Sequence, residues 1–98
     1  MNINLNPAEV KVLAFLSTGS GEDFGYFGFR AICKYTKLKR DVVRRACRRT
    51  ARAGLTSYGK GLWTVDGDPA GSGYAATKSG RARADASLVK KYALERWQ

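Results

Sequence analysis

At 98 residues, 44% hydrophobic and 11% aromatic, the chain holds enough apolar side chain to order one small domain, spanning 1–98, and is too short for two. Its 18 Lys and Arg against 8 Asp and Glu leave +10, a field that attracts polyanions and says little about fold. Two cysteines, Cys33 and Cys47, with no histidine exclude a Cys/His zinc site within one chain and any disulfide framework; both read as small buried thiols, and no metal or cofactor is expected.

LNPAEV, residues 5–10, is a helix start: Asn6 as N-cap, Pro7 in the first turn, Glu9 three after the cap, and Leu5 with Val10 placed as a hydrophobic staple. The helix begins at Pro7, carries Val10, Leu13, Ala14 and Ser17 on one face, and stops before Gly19. The apolar run Val10 to Leu16 is too short for a membrane span and is broken by Lys11. Residues 19–29, GSGEDFGYFGF, read as a loop with a short strand around Tyr26 and Phe27. Its aromatics either close a small core beneath the loop, the favoured reading, or form a platform for single-stranded bases helped by Arg30.

Phe29 to Tyr35 reads as a short helix, Thr36 to Leu38 as a turn, and Lys39 to Ala53 as a longer helix ended by Gly54. Two strands follow, about Gly61 to Asp66 and Gly73 to Thr77, joined by the hairpin tip GDPAGS. A last helix, capped by Thr77 or Ser79 and lying within 77–98, presents Ala82, Ala86, Val89, Ala93 and Trp97 to the core. The order predicts an α+β domain in which three helices pack together and a hairpin flanks them.

Between Arg30 and Arg52 stand ten basic residues against Asp41 alone, so this segment carries +9 of the +10. At about 100° per residue, Val43, Ala46, Cys47, Thr50 and Ala51 share one side of the 39–53 helix, while Arg44, Arg48, Arg52, Arg45 and Arg49 fill an opposing arc of roughly 140°. A disordered tail has no reason to keep such segregation. A merely solvated face usually alternates signs. Here Arg40/Arg44, Arg44/Arg48, Arg45/Arg49 and Arg48/Arg52 are like-charged at i,i+4, which together costs on the order of 1 kcal/mol in the free protein. Asp41 is either an acceptor for cytosine N4 or, as favoured, an intrahelical partner of Arg44 or Arg45. No histidine, carboxylate cluster or glycine loop followed by Lys and Ser/Thr is present, so an enzyme is not expected.

Ile32, Thr36 and Leu38 ahead of a basic helix have the arrangement of a helix-turn-helix. AICKYTKLKRDVVRRACRRTARAGL, residues 31–55, resembles the helix-turn-helix of winged-helix regulators of the GntR and MarR kinds, through Ile32, Cys33, Leu38, Val43, Gly54 and Leu55. YAATKSGRARAD, residues 74–85, resembles the end of the MarR-type and PadR-type wing. The resemblance implies a winged helix-turn-helix: a three-helix core, a two- or three-stranded wing and a C-terminal helix that folds back or dimerises. It implies a small regulator that binds double-stranded DNA sequence-specifically, cytoplasmic and nucleoid-associated, with a homodimer as a further expected form. An RNA-binding or protein-assembly module on the same fold is the alternative. Lys39, Arg40 and Arg44 stand where the family commonly contacts DNA, and the arc adds Arg45; these are the candidate base contacts. Lys37, Arg48, Arg49 and Arg52 are the candidate phosphate contacts. Lys37 replaces the usual turn glycine, so it must tolerate a strained backbone or the turn differs. Cys47 and Thr50 replace two customary leucines. From Gly61 to Thr77 there is no basic residue, so the wing reads as a structural prop.

Overall fold

The computed structural model describes residues 4–19, 26–63 and 69–96. The first helix, α1 (Pro7–Leu16), opens as expected: Asn6 Oδ1 accepts from the Glu9 N–H at 2.8 Å and Glu9 Oε1 accepts from the Asn6 N–H at 2.9 Å. Its burial is wider than one face. Val12, Leu13, Ala14, Phe15 and Leu16 are all buried, whereas Val10 and Ser17 are only half-buried. The cause is position: α1 is the central helix, touched by four further helices and by a strand.

Two helices follow, α2 (Phe29–Thr36) and α3 (Arg40–Arg52), with the turn at 37–39, one residue later than expected. Gly54, at φ 78°, ends the path out of α3 in the left-handed region that glycine adopts without penalty. The sheet is one antiparallel hairpin of β1 (Thr56–Trp63) and β2 (Pro69–Ala76), with Thr56 opposite Ala76 and Tyr58 opposite Tyr74. Both strands are longer than expected. β1 begins five residues earlier, because Gly59 sits within the ladder opposite Gly73 and does not break it. Pro69 to Ser72, expected in the tip, lie in β2; Asp66 and the start of GDPAGS fall outside the described residues. The short strand expected near Tyr26 is a single bridge, in which Phe27 and Tyr74 exchange backbone hydrogen bonds of 2.8 and 3.0 Å. Gly73 makes that approach possible, since a Cβ there would run into the Phe27 carbonyl.

The expected last helix is two helices, α4 (Lys78–Arg83) and α5 (Ala86–Arg96). Thr77 caps α4 through its side chain, as anticipated. Ala84 then turns extended at ψ 145°, and Asp85 Oδ1 accepts from the Ser87 and Leu88 N–H groups at 2.9 and 3.2 Å, starting a new helix. The break resets the helical phase. Tyr92 is therefore the buried residue of α5, with Leu88, Val89 and Ala93 half-buried, while Ala82 and Ala86 are exposed; Trp97 lies outside the described residues. The architecture is α+β: helices around α1, flanked by a two-stranded antiparallel sheet.

Candidate nucleic-acid interface

The turn before α3 is held by local bonds. Thr36 Oγ1 donates to the Ile32 carbonyl at 2.6 Å, and the Lys37 N–H donates to the Cys33 carbonyl at 2.9 Å. Lys37 itself sits at φ 60°, ψ 28°, so the strain expected from a lysine at a glycine position is present. Leu38 packs against the core from its half-buried place, and Lys39 is the exposed N-cap of α3.

The inner face of α3 consists of Val43, Ala46, Cys47 and Thr50, all buried. Thr50 does not leave a gap in polar bonding where a leucine is customary. Its hydroxyl donates to the Ala46 carbonyl at 2.8 Å and lies 3.0 Å from Thr56 Oγ1, which also reaches the Cys47 carbonyl at 3.3 Å. These bonds tie α3 to the first residue of β1. Burial, with a smaller contribution from Cys33, pushes the Cys47 thiol up to about 12, so it stays neutral at physiological pH. Both cysteines are free.

Arg40, Asp41, Arg44, Arg45, Arg48, Arg49 and Arg52 are all exposed, as the arc requires. The structure divides them further. At one edge, the Arg40 guanidinium stands 5.7 Å over the Phe29 ring of α2. At the other, Arg49 Nη1 donates to Glu9 Oε1 at 2.6 Å and its Nη2 donates to the Asn4 carbonyl at 3.1 Å, and Glu9 is fully buried. Arg45 meets Asp41 at 3.3 Å, the expected intrahelical pairing, with both side chains largely in water. Such a pair contributes about 0.3 to 0.5 kcal/mol. Arg44, Arg48 and Arg52, one turn apart, make no hydrogen bond or ion pair among the described residues, and Lys37 and Lys39 make none through their side chains.

The residues singled out in the sequence are thus brought to one surface, apart from Arg49, whose guanidinium faces α1. Glu9 was read only as a capping residue. Its second bond cannot be inferred from spacing, since Arg49 is forty positions away. Of the described aromatics of the 19–29 loop, two pack against the core, Phe27 lying 4.7 Å from Phe15 and Phe29 stacking on Tyr74 at 5.9 Å, while the half-buried Tyr26 ring lies against Gly59. Among the described residues no His/Cys/Asp/Glu cluster could hold a metal ion, and no helix is long and apolar enough to cross a membrane.

No family model and no curated protein matches the sequence. A solved structure of a Ralstonia eutropha JMP134 protein, one proposed to bind DNA, is similar to this chain with a TM-score of 0.61. The match covers 90% of this chain and 96% of that one at 24% identity, which shows a shared fold.

Proposed function

We propose that the chain is a single winged-helix domain that binds double-stranded DNA sequence-specifically, as a small transcriptional regulator, by laying α3 in the major groove. The observation that carries this reading is the row Arg44, Arg48, Arg52: three cations without acid partners among the described residues, on a helix whose opposite face is buried. The Ralstonia protein, which shares the fold and is proposed to bind DNA, supports the DNA-binding part of this reading. The hairpin β1–β2 takes the place of the wing, and the reaction is binding without catalysis.

In this docking the first turns of α3 meet base edges and later residues meet phosphates. Lys39, Arg40, Arg44 and Arg45 read bases, and an arginine freed from Asp41 pairs bidentately with guanine O6 and N7. Lys37, Arg48 and Arg52 hold phosphates. Arg49 is assigned to Glu9 instead, because a contact to DNA would strand a buried carboxylate. The alternative RNA-binding reading draws on the aromatic loop from Phe24 to Phe29 and is less favoured because Phe27 and Phe29 pack against Phe15 and Tyr74.

Selection of bound sequences from a random duplex pool, followed by titration at several salt concentrations, tests the proposal. Log affinity should fall with log salt by about 0.9 per phosphate, for about six phosphates. Arg44→Ala should relax preference at one base pair at a cost of about 1 to 3 kcal/mol, whereas Arg52→Ala should weaken all sequences alike. A salt-independent interaction, or no enriched sequence, overturns the reading. Two-fold symmetry in the selected site reports two copies acting together.

A further inference from the structure

Tyr58 is a large aromatic residue left exposed on the strand that packs against α3. It lies on β1 directly opposite Tyr74, and 50% of its surface remains in solvent. Two residues before it, on the same face of the strand, Thr56 is buried against α3 through its bond to the Cys47 carbonyl. Tyr58 therefore stands on the α3 side of the hairpin.

It also ends a ladder. The Arg40 guanidinium lies over Phe29, Phe29 stacks on Tyr74 at 5.9 Å with the rings 21° apart, and Tyr74 meets Tyr58 at 5.3 Å and 65°. The Tyr74 phenol is held above its usual range by burial, with Arg48 acting in the opposite direction and Tyr58 reinforcing the shift. An aromatic ring held edge-on by Tyr74, which itself stacks on Phe29, on a strand that packs against a strongly basic helix, is chemically suited to a flat partner on an anionic chain.

We infer that Tyr58 is a stacking site for an unpaired nucleobase, so that the protein prefers duplex DNA bearing a short single-stranded extension over the same duplex with blunt ends. The inference rests on the DNA-binding reading above. Within a duplex every base face but the outer one of each terminal pair is covered by its neighbours, and elsewhere only edges and backbone can be reached. A half-exposed ring offers a face, and its complement is a base that has left the stack. The phosphates of the extension continue along Arg48 and Arg52, which supplies the charge complementarity.

The test compares binding of a labelled blunt duplex with that of the same duplex carrying a four-nucleotide extension, by fluorescence anisotropy at one salt concentration. The wild-type protein should bind the extended duplex at least about fivefold more tightly, the lower end of what one stacked base contributes. Tyr58→Phe keeps the ring and should keep the preference. Tyr58→Leu keeps apolar bulk against Tyr74 but has no ring, and should bind both duplexes with the affinity of wild type for the blunt one. Thermal melts of both variants separate loss of fold from loss of the site. Equal wild-type affinity for the two duplexes overturns the site alone, as does an equal loss in Tyr58→Phe and Tyr58→Leu, which would assign the contact to the hydroxyl. Failure to bind either duplex overturns the DNA-binding reading and the site with it.

Discussion

Lys37→Gly should make the protein more stable and a poorer binder. Lys37 is the non-glycine residue held at positive φ among those described, at φ 60° and ψ 28°. An L-residue there pays about 1 to 2 kcal/mol for the crowding of Cβ against its own carbonyl. Glycine removes that cost but loses more chain entropy on folding, about 0.5 to 1 kcal/mol. The difference is a gain of roughly 0.5 to 1 kcal/mol, which in a domain of this size raises Tm by about 2 to 8 °C. Binding moves the other way, because a cation next to the start of α3 is gone: the salt slope should become shallower by about 0.9, one phosphate fewer. Lys37→Ala separates the two effects, since alanine keeps the strain and loses the charge. It should bind as poorly as Lys37→Gly without gaining Tm. Circular dichroism melts and salt titrations of the three proteins give both numbers. An unchanged or lower Tm for Lys37→Gly would refute the strain argument, and an unchanged salt slope would remove Lys37 from the interface.

Two further outcomes follow from the packing around α3. Arg49→Met leaves the buried Glu9 carboxylate without its cation and should cost about 1 to 3 kcal/mol in urea unfolding, with the salt slope of DNA binding unchanged; a slope shallower by about 0.9 would instead place Arg49 on a phosphate. Cys47 has its folded-state value raised from 9.0 to about 12, so its contribution to stability is complete below pH 9 and is lost as pH rises toward 12, because the unfolded thiol ionises first. Cys47→Ala should therefore decline less steeply than wild type across that window, and parallel declines would show that another group controls alkaline unfolding.

What could be read from the sequence was what local chemistry decides. The capping box at Asn6 and Glu9 needs only residues three apart, and the partition of α3 needs only the helical period, so both were legible. Glu9 as the counter-ion of Arg49 was not, because its partner is forty positions away. The early start of β1 depends likewise on pairing across the hairpin and on Thr56 meeting Thr50, neither of which marks the TSYG stretch locally. The break between α4 and α5 carries no proline or glycine. Its one signal is Asp85 two residues before Ser87, and an alanine-rich run on either side hides it. The exposure of Tyr58 is hidden for a related reason: it is a property of where β1 ends up beside α3.

The structure also explains how a helix with so much like charge on one face is held at a definite rotation about its own axis. The two arginines at the edges of the arc do this themselves. Arg40 leans on Phe29 of α2, and Arg49 is clamped by Glu9 and Asn4 beside α1, so the helix is pinned on both flanks by members of the same charged row. The arginines between them are left without such ties, and Arg45 is opposed only by an exposed Asp41. The ion pair to Glu9 also lowers the repulsion that Arg49 exerts on its neighbours, so the unrelieved cost falls chiefly on the Arg44, Arg48, Arg52 row. On the proposed reading that residual repulsion is what a phosphate backbone relieves. The segregation would be unfavourable for a face that only met water, and it becomes a source of affinity once the groove of a duplex lies against it.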